Sequence, residues 1–339
     1  MHSSRERPES WLKVTEKGLY CAPGGFYIDP LRPVAKALIT HGHADHARPN
    51  HDAVLATTGT IGIMNQRYKD AAGKSQQALA YGEILDINGV KVSLHPAGHI
   101  LGSSQAMLEY DGWRIVVSGD YKRRRDPTCE LFHVQPCDIF ITEATFGLPV
   151  FRHPPDETQI AKLLHALKLY PERCVLVGAY ALGKCQRIIC LLREAGYDET
   201  IYLHGAMQGL CDFYQTQGVD LGPLAPVANV PKEDLQGKII LAPPSALHDR
   251  WSRRLPDPVT AMASGWMTIR ARARQKLVEL PLVISDHADW DELVQTITEV
   301  GASEIWVTHG REDALVHYAE TIGLSARPLD LHGYDDEED

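Results

Sequence analysis

Apolar residues along this chain recur in short runs, and the runs end on glycine, proline, histidine or aspartate. Val34, Ala35, Ala37, Leu38 and Ile39 make one run, and Val90, Val92 and Leu94 alternate with Lys91 and Ser93 in a second. Trp113, Ile115, Val116 and Val117 make a third, and Ile305, Trp306 and Val307 a later one. Runs of this length with period two or unbroken apolarity predict strands. The punctuation Ala22-Pro23-Gly24-Gly25 ahead of Phe26, Tyr27 and Ile28 marks an early hairpin or strand end. From about residue 154 the pattern changes. Pro154, Pro155, Asp156 and Glu157 open a segment with Ile160, Leu163, Leu164, Leu167 and Leu169 near helical spacing. A buried strand at 174–178, a helix at 185–194 and further strands at 201–203 and 259–263 follow. Strands alternating with helices predict parallel βαβ units, so residues 149–279 read as a separate α/β domain.

The candidate chemistry sits where the strands of the first part stop. The run of residues 34–39 leads into Thr40-His41-Gly42-His43-Ala44-Asp45-His46, four potential metal ligands within six residues. Neutral imidazole suits zinc and related transition metals, and an added carboxylate favours a site that activates water over a closed structural one. Single candidates follow in the same manner: His99 after the strand at 90–94, Asp120 after that at 113–117, and His309 after that at 305–308. A strand, a small residue and then a ligand is a sheet rim holding side chains rigidly. The series is interrupted by the α/β segment and resumes at Asp286-His287. The expected organisation is therefore one metal-binding domain from residues 1–148 and 280–330, an insertion at 149–279, and an acidic tail at 331–339.

Composition narrows the classes. The 339 residues are 44% hydrophobic and 23% charged, as in a water-exposed globular chain, and no apolar run reaches the length of a membrane span. The first eight residues lack the apolar core of a signal peptide. Seven cysteines with no CxxC pair argue for a reduced cytoplasm and against cysteine ligation of zinc. The net charge of −10 speaks against a polyanionic partner, but five of the negative charges lie in the tail at 335–339, expected to be disordered. Positive residues gather instead at Lys122-Arg123-Arg124-Arg125, at Arg250, Arg253 and Arg254, and at Arg270, Arg272, Arg274 and Lys276. The first cluster begins two residues after Asp120, where it fits a phosphate backbone; the alternative is a solvated face.

The ordered ligand series resembles the metallo-β-lactamase fold, an αββα sandwich whose ligands converge at one edge of two sheets. The resemblance implies that His41, His43 and His99 hold one divalent metal ion, that Asp45, His46 and His309 hold a second, and that Asp120 bridges them. Zinc is the first expectation for both ions and manganese the second. With its inserted α/β domain the chain resembles the β-CASP nucleases, which cut DNA or RNA. Residues 139–147, with Glu143 after a strand, resemble one family motif; its carboxylate would orient a site histidine. Residues 282–289 resemble another, which makes His287 the general acid or transition-state stabiliser; the alternative for His287 is a cap on the following helix. Asp45 would orient the attacking water.

Within the insertion, Gly178-Ala179-Tyr180-Ala181-Leu182-Gly183-Lys184 and Ser264-Gly265-Trp266 resemble segments of the DNA-processing branch. Lys184, Ser264 and Gly265 would hold a flanking phosphate. Trp266 would stack on a base or pack in the core. The strings 118–123, 126–130, 136–138 and 142–149 resemble the compact bacterial ligase-associated DNA exonucleases. That likeness implies a metal-dependent exonuclease acting on DNA ends in repair, beside an ATP-dependent ligase, a helicase and a phosphoesterase. His309 departs from the DNA pattern, because a histidine there marks the RNA branch; RNA 3′-end processing is the alternative activity. A non-catalytic scaffold subunit would have lost ligands, and all seven positions are filled here.

Overall fold

The computed structural model describes residues 5–329, so the acidic tail singled out above lies outside the described residues. The chain forms two compact units, one from residues up to 150 together with those from 287 on, the other Phe151–Asp286. In the first unit one sheet runs in chain order: β1 (Leu12–Thr15), β2 (Gly18–Cys21), β3 (Phe26–Ile28), β4 (Lys36–Leu38), β5 (Ala53–Ala56) and β6 (Ser75–Ala78). Its helix α1 (Thr58–Tyr68) follows β5. The second sheet begins with β7 (Ile84–Ile87), β8 (Val90–Pro96), β9 (Ser104–Tyr110) and β10 (Trp113–Val117), an antiparallel meander. Next to β10 lies β11 (Ile139–Ala144) in parallel.

Period-two alternation explains why this unit has four layers. Leu38, Ile115, Val117, Ile139 and Ile141 point into the core between the two sheets, with Trp11, Phe26, Ile28 and Trp306. Their neighbours Val116 and Phe140 point to the other face of the second sheet, and Ala37 and Ile39 to the other face of the first, where Met64 of α1 packs. A strand apolar on both faces needs a cover on each, and burying each large side chain contributes about 1.5–3 kcal/mol.

The second unit contains α2 (Asp156–Leu169), β12 (Val175–Gly178), α3 (Lys184–Glu194), β13 (Ile201–Leu203), α4 (Gly205–Thr216), β14 (Leu224–Pro226), β15 (Ile239–Ala242), β16 (Val259–Ala263), α5 (Arg270–Gln275) and β17 (Leu280–Leu282). Its sheet has the order β14-β13-β15-β12-β16-β17 and is parallel throughout. The unit extends past the expected edge at 279, because β17 adds to β16 as the last strand of this sheet. The chain then returns to the first unit with α6 (Trp290–Glu299), β18 (Glu304–Gly310), α7 (Glu312–Thr321) and β19 (Ser325–Pro328). Leu293 and Ile297 of α6 and Leu315 and Ala319 of α7 form the layer over Phe140, Ile305 and Val307. Among the described residues no helix is long and apolar enough to cross a membrane.

Candidate metal centre

The carboxyl ends of β3, β4, β8, β10, β11 and β18 supply the residues of this site except His287, which lies just ahead of α6. Strand β8 runs antiparallel to β9, and β9 to β10, so β8 and β10 point the same way; β11 and β18 are parallel to β10. Their ends therefore open on one edge. Two glycines make the approach of the loops possible. At Gly42 a Cβ would lie 2.5 Å from Cγ2 of Ile63 on α1. At Gly119, with φ of +55°, a Cβ would lie 2.7 Å from Oγ1 of Thr40, so only glycine lets the Asp120 loop close on the histidine loop.

His41, His43, His99 and Asp120 each offer a ligand atom within 4.8 Å of the others, and so do His41, Asp45 and His46. Asp120 is central: its Oδ2 lies 3.3 Å from Nε2 of His41, 3.5 Å from Nε2 of His46 and 3.8 Å from Nε2 of His99. Nε2 of His46 is also 3.5 Å from Oδ2 of Asp45. His309 comes near by a different device. The β11–β18 ladder pairs Glu143 with Thr308 and Ala144 with Gly310, so His309 is the extra residue of a bulge, with φ of +57°. A bulge re-aims one side chain, and here it brings the His309 ring to 5.2 Å from that of His46.

Electrostatics prepare these groups unevenly. Burial holds the His41 imidazole well below its ordinary pKa, and the positive charge of His46 adds to the effect. Burial also lowers His309, to about 3. Both imidazoles are neutral at neutral pH, as metal ligation by nitrogen requires. His46 moves the other way, to about 10: burial opposes its charge, but Asp120, Asp45 and Asp29 outweigh burial. Burial raises the Asp120 carboxyl, and Glu143 and Asp45 add to that rise. Among the described residues, Nε2 of His41 and Oδ1 of Asp45 are buried with no hydrogen-bond partner. Burying a donor or acceptor without a partner costs about 1–3 kcal/mol, and a cation at this point would remove that cost. The donor set of imidazoles and carboxylates, with no thiolate, fits divalent zinc or manganese.

Asp29 escaped the sequence reading, which took it only as the end of a strand. Its Oδ2 lies 2.9 Å from Nδ1 of His46, and its two oxygens accept from the backbone N (2.7 Å) and Oγ1 (2.6 Å) of Thr40. It thus holds the start of the histidine loop and turns Nε2 of His46 inward. The available signal was an acidic residue at a strand end, directly ahead of Pro30. Outer partners of ligating histidines are worth about 10–100-fold in metal affinity. Asp29→Ala is expected to weaken metal retention by that factor, as read by competition with a chelator.

Glu143 is fully buried; its Oε2 is 2.9 Å from Nδ1 of His287, and its Oε1 accepts from Tyr121 N at 2.7 Å. The His287 side chain is 22% exposed, and its ring lies 4.7 Å from that of His99. Capping of α6 falls to Asp289, whose Oδ1 accepts from Glu292 N at 3.1 Å, so the helix-cap alternative for His287 does not apply.

Two expectations need correction. The cluster at 122–125 does not present a row of cations to a phosphate. Lys122 Nζ is 2.9 Å from Asp126 of its own loop, while Arg123 is 2.5 Å from Glu299 and Arg124 is 2.5 Å from Asp289, because α6 and its N-cap bring carboxylates against this loop. In the second unit Lys184 is only 4% exposed, with Nζ 3.1 Å from Oδ2 of Asp286, and Arg187 pairs with Asp156 and Asp286 beside it. Its ammonium is thus an internal ion-pair partner. Ser264 Oγ accepts from Trp266 N at 3.3 Å and Gly265 is buried in the same turn. Trp266 packs edge-on to Phe151 and beneath Arg272.

No family model matches the chain. A "Probable DNA ligase" of Opitutus terrae is 29% identical over 321 residues, which cover 93% of this chain and 31% of that protein. An "Endoribonuclease YSH1" of Candida glabrata is 24% identical over 303 residues, 70% of this chain and 38% of that protein. A "Cleavage and polyadenylation specificity factor 73" of Drosophila melanogaster is 30% identical over 128 residues, 37% of this chain and 19% of that protein. These relatives, with the His/Asp cluster of the site, support a β-CASP nuclease of the metallo-β-lactamase fold. The chain spans about a third of the length of the first two relatives. A crystal structure of a protein of unknown function from Enterococcus faecalis shares the fold, with a TM-score of 0.59 at 13% identity over 88% of this chain and 80% of that one.

Proposed function

We propose that this β-CASP protein is a metal-dependent phosphodiesterase that trims DNA ends during repair. The observation that carries the hydrolytic reading is Asp120, whose Oδ2 stands within 4 Å of Nε2 of three histidines at one edge of the fold. His41, His43 and His99 would hold one ion, Asp45, His46 and His309 a second, with Asp120 between them. When bound, such a pair supplies positive charge to the phosphodiester oxygens and lowers the pKa of an attacking water. The chain does the rest. Asp45, beside His46, would orient that water. His287, held by Glu143 at Nδ1 and with its side chain 22% exposed, gives a proton to the leaving oxygen. Glu143 acts through His287 and is a positioning residue, and Asp29 has the same relation to His46.

DNA is favoured because the relative matched over 93% of this chain carries the name of a DNA ligase, in a protein about three times as long. Joining ends and preparing ends are adjacent chemical tasks, which supports action beside a ligase. An RNA substrate is the second reading, supported by relatives named endoribonucleases and by histidine at position 309. Matched end-labelled DNA and RNA strands, incubated with zinc or manganese, decide between them. Release of labelled product from DNA is the expected result; cleavage of RNA alone would make the second reading the function.

A further inference from the structure

Two segments of the second unit hold a concentration of positive charge that the proposed chemistry does not use. Between residues 249 and 276 the chain has seven arginines or lysines and only two aspartates, in a protein whose net charge is −10. Arg250, Arg253, Arg254, Arg270 and Arg274 are exposed, and none forms an ion pair among the described residues. Lys122, Arg123 and Arg124, by contrast, are met by carboxylates.

The fold draws the two segments together. Ala246, Leu247, Leu255 and Met267 belong to one apolar cluster, with Trp251, Trp266 and Ala273 packed against it. His248 Nε2 lies 2.8 Å from the carbonyl oxygen of Lys276, which ties the end of one segment to the end of the other. Two half-buried tryptophans stand among the arginines. Arg272 lies 4.0 Å over the Trp266 ring, and the Trp251 ring meets that of His204 at 4.6 Å. Unpaired guanidiniums interleaved with aromatic faces suit a polymer with phosphates along its backbone and flat bases between them. A stable fold gains nothing from five uncompensated cations on one surface, since they repel one another.

We propose that Arg250, Arg253, Arg254, Arg270 and Arg274, with Trp251 and Trp266, form a binding surface for the nucleic-acid backbone that takes no part in the hydrolytic step. This inference rests on the nuclease reading and adds a second, sequence-independent contact to it. Such a surface raises affinity for long strands and leaves hydrolysis of a small phosphodiester unaffected.

The test compares the wild-type protein, R253E/R254E, R270E/R274E and a control K13E/K17E, which reverses two exposed lysines of the other unit. Binding of a long fluorescent single strand is titrated at several salt concentrations, and hydrolysis of bis(p-nitrophenyl) phosphate is measured alongside. Both arginine variants are expected to bind the strand roughly tenfold or more weakly, with a salt slope reduced by about 0.7 per lost phosphate contact. Their hydrolysis of the small ester should equal that of the wild type. Arginine variants that bind like the control, in a protein that cleaves nucleic acid, would overturn the surface and leave the nuclease reading standing. Binding by the wild type and its loss in the variants, without any cleavage, would support the surface and overturn the proposed activity.

Discussion

Asp120→Ala is expected to lower kcat for phosphodiester cleavage by about a thousandfold or more and to reduce the metal content of the purified protein. The size follows from the position. Asp120 Oδ2 is within 4 Å of Nε2 of His41, His46 and His99, so one side chain serves both halves of the ligand set. The charge that a metal pair places on a phosphoryl transition state is worth several kcal/mol, and each 1.36 kcal/mol is tenfold in rate. Metal content, read by atomic emission, separates loss of an ion from loss of folding, and circular dichroism should be unchanged. A variant that retains two ions and wild-type turnover would remove Asp120 from its assigned place. The same site predicts proton release. Because His46 is raised to about 10, it holds a proton at neutral pH that an incoming cation must displace. Metal affinity should therefore fall as pH is lowered, and loading at pH 7 should acidify a weakly buffered solution.

His287→Ala is expected to cost about a hundred- to ten-thousandfold in kcat on an oligonucleotide, with metal content intact. The imidazole is held by Glu143 at Nδ1 and packs 4.7 Å from His99 by ring centroid, yet its side chain is 22% exposed, as a group that meets substrate must be. The leaving oxygen of a nucleotide is a poor leaving group without a proton, and p-nitrophenolate is not. If His287 supplies that proton, His287→Ala should hydrolyse bis(p-nitrophenyl) phosphate at close to the wild-type rate while failing on the oligonucleotide. Equal losses on both substrates would contradict proton donation. Glu143→Gln keeps a hydrogen-bonding side chain of the same shape and should lose less, roughly tenfold to a hundredfold.

Much of this could be read without coordinates, and what could be read has a common cause. His41, His43, Asp45 and His46 lie within six residues, and a short loop after a buried strand has few ways to point four such side chains apart. The strands preceding His99, Asp120 and His309 were recognisable because burial on one or both faces imposes an apolar period that survives in any sequence. Helices α2 and α3 and strands β12, β13 and β16 were legible for the same reason. What local pattern could not reveal was which charges meet. The basic run at 122–125 looks identical whether it faces solvent or α6, and only packing brings Asp289, Glu292 and Glu299 against it. Lys184 after a glycine reads as a phosphate ligand until Asp286, about a hundred residues later, is found beside it.

The sequence by itself therefore determined the candidate metal donors, their order along the chain and the strands that carry them, since these depend on residue type and short-range periodicity. Tertiary structure alone decided the partners: Asp29 behind His46, Glu143 behind His287, the bulge that swings His309 toward His46, and, among the described residues, Arg250, Arg253, Arg254, Arg270 and Arg274 left without carboxylates. Hydrogen bonds and ion pairs act over a few ångströms in space between residues as far as 297 positions apart in the chain, a relation that no local pattern encodes.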